Sequence, residues 1–136
     1  MSDSLLRALC PFALAVIVCC GCQQSESGPP KYHVSGKVSF ENEPIGTGTI
    51  VFIPTTSGRG AQIGIPITDG MYDGQVTAGP NRIYIEASRP GPQVTNDLGQ
   101  VHDSLDWYIP PKYNHATKLT YEVLPQDNTE VNFELE

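Results

Sequence analysis

From residue 31 onward, apolar residues recur at every second position. In Tyr32-His33-Val34-Ser35-Gly36-Lys37-Val38-Ser39-Phe40, one face takes Tyr32, Val34, Val38 and Phe40, with Gly36 in the same row. The other face takes His33, Ser35, Lys37 and Ser39. Successive side chains of a strand point to opposite faces, so this alternation predicts a half-buried β-strand. Glu41-Asn42-Glu43-Pro44 ends it, because polar turn formers and a proline do not continue a ladder. A second strand is expected over residues 47–53. Ile50-Val51-Phe52-Ile53 is apolar on both faces, which predicts a central position.

Alternation resumes with Ala61, Ile63, Ile65 and Ile67 against Gln62, Gly64, Pro66 and Thr68. Pro66 has no backbone donor, so this strand is expected at an edge or a bulge. Asp69-Gly70 is a tight-turn signal. The chain returns over residues 71–76 and turns again at Ala78-Gly79-Pro80. Residues 81–88 alternate Ile83, Ile85 and Ala87 against Arg82, Tyr84 and Glu86. Two last strands place Leu119, Tyr121 and Val123, then Val131, Phe133 and Leu135, on single faces. Residues 124–128 connect them. Between residues 88 and 117 no period is clear, and Pro90, Pro92, Pro110 and Pro111 interrupt. This predicts a long loop over residues 89–117, of the kind that is functional or packed as a fixed crossover. About seven short strands and no long amphipathic helix predict an all-β fold, a seven-stranded antiparallel sandwich.

The amino-terminal segment follows another rule. Ala8 to Cys20 is uncharged and mostly apolar, preceded by Arg7. It is too short to cross a bilayer comfortably as a helix and fits the apolar region of a secretory signal. Gln23-Gln24-Ser25-Glu26-Ser27-Gly28-Pro29-Pro30 then contains no apolar side chain apart from proline, which predicts a flexible tether. An apolar run, Gly21, Cys22 and a tether resemble a bacterial lipoprotein signal. In that family a small residue precedes the cysteine that receives lipid, which implies lipidation at Cys22. Cys19 stands where the family usually has an aliphatic residue. The expected organisation is a signal peptide over 1–21, a tether over 22–30 and one domain over 31–136. Cys10, Cys19, Cys20 and Cys22 are the four cysteines, so the domain itself has none and folds without disulfides.

Composition narrows the function classes. The chain has 136 residues, 8 Lys plus Arg and 15 Asp plus Glu, a net charge of −7. There is no basic cluster, so no nucleic-acid partner is expected. His33, His102 and His115 lack metal-ligand spacing, and no metal or cofactor is expected. Asp97, Asp103 and Asp106 lie in the long loop without calcium-loop spacing and read as a solvated acidic segment. Asp69 and Asp73, each followed by Gly, read as turn residues. Ser57-Gly58-Arg59-Gly60 lacks the strand-to-helix setting of a phosphate loop. Trp107, Tyr108 and Tyr113 are the candidate ligand contacts. Their rings could stack on a sugar or meet a partner, or they could clamp the loop onto the domain.

The stretches "HVSGKVSFENEPIGTGTIVFIP", "TDGMYDGQVTAGPNRIYIEA", "IPPKYNHATKLTYEV" and "NTEVNFELE" resemble small envelope lipoproteins of planctomycete-type bacteria. Their domains are described as carboxypeptidase-regulatory-like or transthyretin-like. The resemblance spans residues 31–136 and implies a prealbumin-like β-sandwich. Val34-Ser35-Gly36-Lys37-Val38 fits it through close backbone approach at Gly36. The transthyretin-like resemblance also raises hydrolysis of 5-hydroxyisourate. That activity needs a C-terminal Tyr-Arg-Gly-Ser, and this chain reads Asn132-Phe133-Glu134-Leu135-Glu136 there. The expectation is therefore a non-enzymatic protein of the cell envelope, membrane-anchored through lipid on the periplasmic or outer face. Its partner would be an envelope protein or a glycan. The alternative is a carbohydrate- or peptide-binding module using the 89–117 loop.

Overall fold

The computed structural model describes residues 28–58 and 60–136. The expected signal peptide, Cys22 and most of the expected tether lie outside the described residues. The strands are β1 Lys31–Phe40, β2 Glu43–Pro44, β3 Thr47–Pro54, β4 Ile63–Thr68, β5 Met71–Thr77, β6 Gly79–Thr95, β7 Val101–Trp107, β8 Thr120–Val123 and β9 Phe133–Leu135. They form one curled sheet in the order β2-β1-β5-β4-β3-β6-β7, with β8 added to β6 and β9 to β1. The fold is all-β, and the sheet is antiparallel except where β9 runs parallel to β1. Each stretch whose alternation predicts a strand contains one. Two strands, β2 and β7, are additional.

The curl has a local origin. β4 and β5 are joined by a two-residue hairpin turn, and their only register pair is Thr68 with Met71. Asp69 and Gly70 both have positive φ, 50° and 76°, as such a turn requires. Glu41 and Asn42 make the same kind of turn between β1 and β2, with φ of 52° and 66°. Past its one pair, β4 has no ladder toward β5. The edge expected from Pro66 is therefore real on that flank, while the other flank of β4 pairs with β3 from Thr68 to Ile63. β3 lies between β4 and β6, the central place that its apolar faces predict.

The curl brings one face of every body strand into a common core. Val34 and Val38 of β1, Ile50 and Phe52 of β3, and Ile65 and Ile67 of β4 are buried there. Tyr72 and Val76 of β5, Ile83, Ile85 and Ala87 of β6, Val123 and Leu135 join them. Each fully buried Val, Ile or Phe contributes about 1.5–3 kcal/mol of apolar burial. The segment ahead of β9 closes the core from one side. Val131 donates to the Ser35 carbonyl and accepts from the buried Tyr72 hydroxyl at 2.7 Å. A Cβ at Gly36 would fall on the Val131 carbonyl, so only glycine fits that crossing. Asn128 pins the same segment. Its backbone N–H donates to His33 O, and its side chain binds Leu124 N–H, Leu124 O and Gln126 O.

The long loop expected over residues 89–117 is corrected. β6 runs on to Thr95 and β7 returns beside it, so residues 88–107 form a β-hairpin arm. The tip is built by Asn96. Its Oδ1 accepts from Leu98 N–H and Gln100 N–H, and Gly99 takes φ 77°. The register shifts between Pro90 and Gln93, a bulge where the Ser104 hydroxyl donates to the Pro92 carbonyl at 2.6 Å. Hydrophobic alternation did not mark β6 beyond Ala87 because neither face of the arm is buried. After β7, a 3-10 turn at Pro111–Tyr113 leads to β8. Thr117 Oγ1 donates to Ile83 O, and Ile83 N–H donates to Leu119 O, so this crossover is fastened to β6.

Candidate functional site

The three aromatic residues singled out in the sequence do not form one cluster. Trp107 ends β7 and is 61% exposed, opposite Ser88 of β6. Side chains alternate along β7, so Val101, Asp103, Leu105 and Trp107 share a face. Leu105 and Val101 are 61% and 59% exposed. Trp107, Leu105 and Val101 thus give the arm an apolar row that meets solvent. Gln93 Nε2 donates to Asp103 Oδ1 at 3.2 Å within this row.

Tyr108 turns the other way, toward the body. Its ring lies 5.9 Å from that of Phe40, tilted, and the Arg89 guanidinium sits 5.0 Å from its centroid. Arg89 Nε also donates to Asp106 Oδ2 at 2.9 Å across the arm. Burial raises the Tyr108 phenol above its ordinary pKa, and Arg89 opposes that shift. Phe40, Pro44, Thr47, Ser88, Arg89 and Tyr108 line a cleft of about 580 Å³ between the arm's base and the β1–β2 hairpin. Tyr113 is tied down as well. Its hydroxyl donates to Glu136 O at 3.0 Å and accepts from Glu136 N–H at 2.9 Å, and Lys112 lies over its ring. The clamp describes Tyr108 and Tyr113. Trp107 is the aromatic of the three that faces outward.

The other candidates are dispersed. His33 Nε2 is 2.8 Å from Asp73 Oδ2 across β1 and β5. Asp73 lies within β5, so reading it as a turn residue is corrected; Asp69 is in the turn. His102 lies on β7 and His115 follows the 3-10 turn. Asp106 pairs with Arg89, and Asp103 with Gln93. Among the described residues, no three His, Cys, Asp or Glu side chains converge as a metal site would require. A shallow depression on the outer face of β3 and β6 is lined by Val51, Ile53, Arg82, Tyr84, Glu86 and His115. Within it the Tyr84 hydroxyl donates to Glu86 Oε2 at 2.8 Å, which raises the Tyr84 pKa.

Sequence reasoning missed the partners more than the residues. Phe40 and Arg89, which hold Tyr108, are far from it along the chain and carry no local signal. Val101 and Leu105, which extend the Trp107 face, do carry one. Val101-His102-Asp103-Ser104-Leu105-Asp106-Trp107 has a period of two, masked by Asp103 in the apolar row.

No family model matches the chain, and no curated protein matches it. A solved structure that resembles it is a DUF3823 family protein from Parabacteroides merdae, at 16% identity and a TM-score of 0.43. The match covers 78% of this chain and 46% of that one, so this chain spans less than half the length of its structural neighbour.

Proposed function

We propose that the protein is a non-catalytic, lipid-anchored component of the cell envelope whose β-domain serves as an interaction module. The domain is read as transthyretin-like, with the curled sheet closing into a prealbumin-like sandwich. The single register pair between β4 and β5 supports that reading, because it separates a β1–β5 half from a β4–β3–β6 half. Residues 1–21 act as the signal peptide, and Cys22, after Gly21, is the acyl acceptor that anchors the mature chain. The interaction role is carried by one observation. Trp107, Leu105 and Val101 stay exposed on one face of the arm, while Tyr108 and Tyr113 are bound into the fold. An apolar row held clear of the core suits contact with another molecule.

The anchor is tested by metabolic acyl labelling in a bacterial host. Cys22→Ala abolishes the label and shifts the protein to the soluble fraction or to an uncleaved precursor. Unchanged labelling removes Cys22 from the role. A second reading is favoured by Trp107 alone: a carbohydrate- or peptide-binding module that stacks its ligand on the indole. Binding on a glycan or peptide array that disappears in Trp107→Ala is the result that selects it.

A further inference from the structure

The arm is an incomplete sheet. β3 leaves β6 at the Gly48–Ala87 pair, and from Ser88 to Thr95 β6 has β7 as its ladder partner. Two strands alone are marginally stable in water; a third strand or a packed face normally completes them. The arm's two free edges differ. The β6 edge carries Pro90, Pro92 and the bulge, devices that blunt a strand against further pairing. β7 contains no proline, so each residue from Val101 to Trp107 keeps its backbone donor. The open edge is β7.

We propose that β7 is a self-association seam, at which two copies of this chain pair antiparallel about a two-fold axis at Ser104. A two-fold normal to the sheet keeps faces aligned, so a residue of β7 sits on the axis and opposes itself. Ser104 is the midpoint of Val101–Trp107, and an axis there pairs the strand along its whole length. His102 then lies opposite the partner's Asp106, and Val101 opposite the partner's Trp107. Asp103 meets the partner's Leu105. An imidazole–carboxylate hydrogen-bonding pair and an aromatic–β-branched pair are favourable cross-strand combinations. An axis at Asp103 sets two carboxylates against each other and one at Leu105 sets Asp103 against the partner's Trp107; both shorten the overlap. Arg89, already on Asp106, extends the polar row to Arg89, Asp106 and the partner's His102. On the other face the partner's Val101 covers Trp107. The seam is one isologous contact and gives a closed dimer rather than a fibre.

The seam does not depend on the lipid anchor, and failure of acyl labelling leaves it standing. The test uses the full chain in nonionic detergent with its cysteines kept reduced. Trp107 is the one tryptophan of the chain, so its emission reports the seam directly. The expected result is a blue shift and loss of acrylamide quenching as protein concentration rises, in step with a monomer–dimer transition in sedimentation. His102→Asp opposes two carboxylates at both symmetric positions and raises the dissociation constant about tenfold. His102→Lys keeps the dimer as tight or tighter, and serves as the control for folding. Emission independent of concentration overturns the proposal. So do His102→Asp and His102→Lys variants that associate alike, since that contact would not use this register. Emission that shifts only on adding glycan or peptide also overturns it, in favour of the ligand-binding reading.

Discussion

β6 belongs to two different regions of the molecule. Up to Ala87 it is a body strand, with Asn81, Ile83, Ile85 and Ala87 buried and their neighbours outward. From Arg89 to Thr95 it is an arm strand with no buried residue. The body half has β3 on one side and β8 on the other. The arm half has β7 alone. In the body, packing fixes the register, because a slip by one residue would turn Ile83 and Ile85 to solvent. In the arm, register is fixed by polar and turn chemistry: the Asn96 tip, the Ser104–Pro92 bond and the Arg89–Asp106 pair. A change of the same size should therefore cost much in one region and little in the other.

The largest effect is expected at Gly36. Any Cβ there meets the Val131 carbonyl, and backbone cannot give way as a flexible side chain would. Gly36→Ala should push the Val131 segment off β1 and cost about 3 kcal/mol or more. Urea unfolding measures it as a lower midpoint. A midpoint near that of the parent chain would mean that the segment can lift away without loss.

Next comes Tyr72, which ties β5 to the same carbonyl. Tyr72→Phe leaves the Val131 oxygen without the donor it has at 2.7 Å, at a cost of about 1–3 kcal/mol. The phenol also gives the body an alkaline limit. Burial, and secondarily Tyr121, raises its pKa well above the ordinary tyrosine value. The folded state therefore holds a proton that the unfolded chain releases near pH 10. The stability contributed is complete below that pH and is lost as pH rises toward the folded pKa. Stability curves of the parent and Tyr72→Phe should converge above about pH 10. Parallel curves would show that the phenol does not ionise differently on unfolding.

The same contrast explains what the sequence makes legible. Period-two alternation reports burial on one face, so it marks β1, β4, β8, β9 and the body half of β6, while a continuous apolar run marks β3 and the Asp69-Gly70 turn marks the return into β5. It is silent on the arm half of β6 and broken by Asp103 in β7, where strands form without a buried face. The tip was readable from Asn96-Asp97-Leu98-Gly99, a turn-forming run followed by Gln100 and Val101. Pro90 and Pro92 pointed away from a strand, yet the structure accommodates them at a free edge and a bulge. The split between Tyr108 and Trp107 was present as well, since adjacent residues of a strand face opposite ways. Grouping them by proximity in sequence hid it. The Phe40 contact to Tyr108 depends on the curl of the sheet and the Arg89 contact on the β6–β7 register, and no local pattern encodes either.

The smallest effect on stability is expected at Trp107, and that smallness is informative. A large aromatic normally contributes through burial, and truncating one in a core costs about 3–5 kcal/mol. Trp107 is 61% exposed, and Leu105 and Val101 on the same face of the arm are 61% and 59% exposed. Trp107→Ala should then shift the unfolding free energy by no more than about 0.5 kcal/mol at concentrations where the chain is monomeric. At higher concentration the parent should gain stability through association while the variant gains less, because binding to the folded state alone raises apparent stability by mass action. Thermal unfolding at two concentrations a hundredfold apart separates these contributions. A large loss at both concentrations would place Trp107 with the body, as a residue the fold depends on. A loss that grows with concentration places it with the arm, where its contact lies outside its own chain.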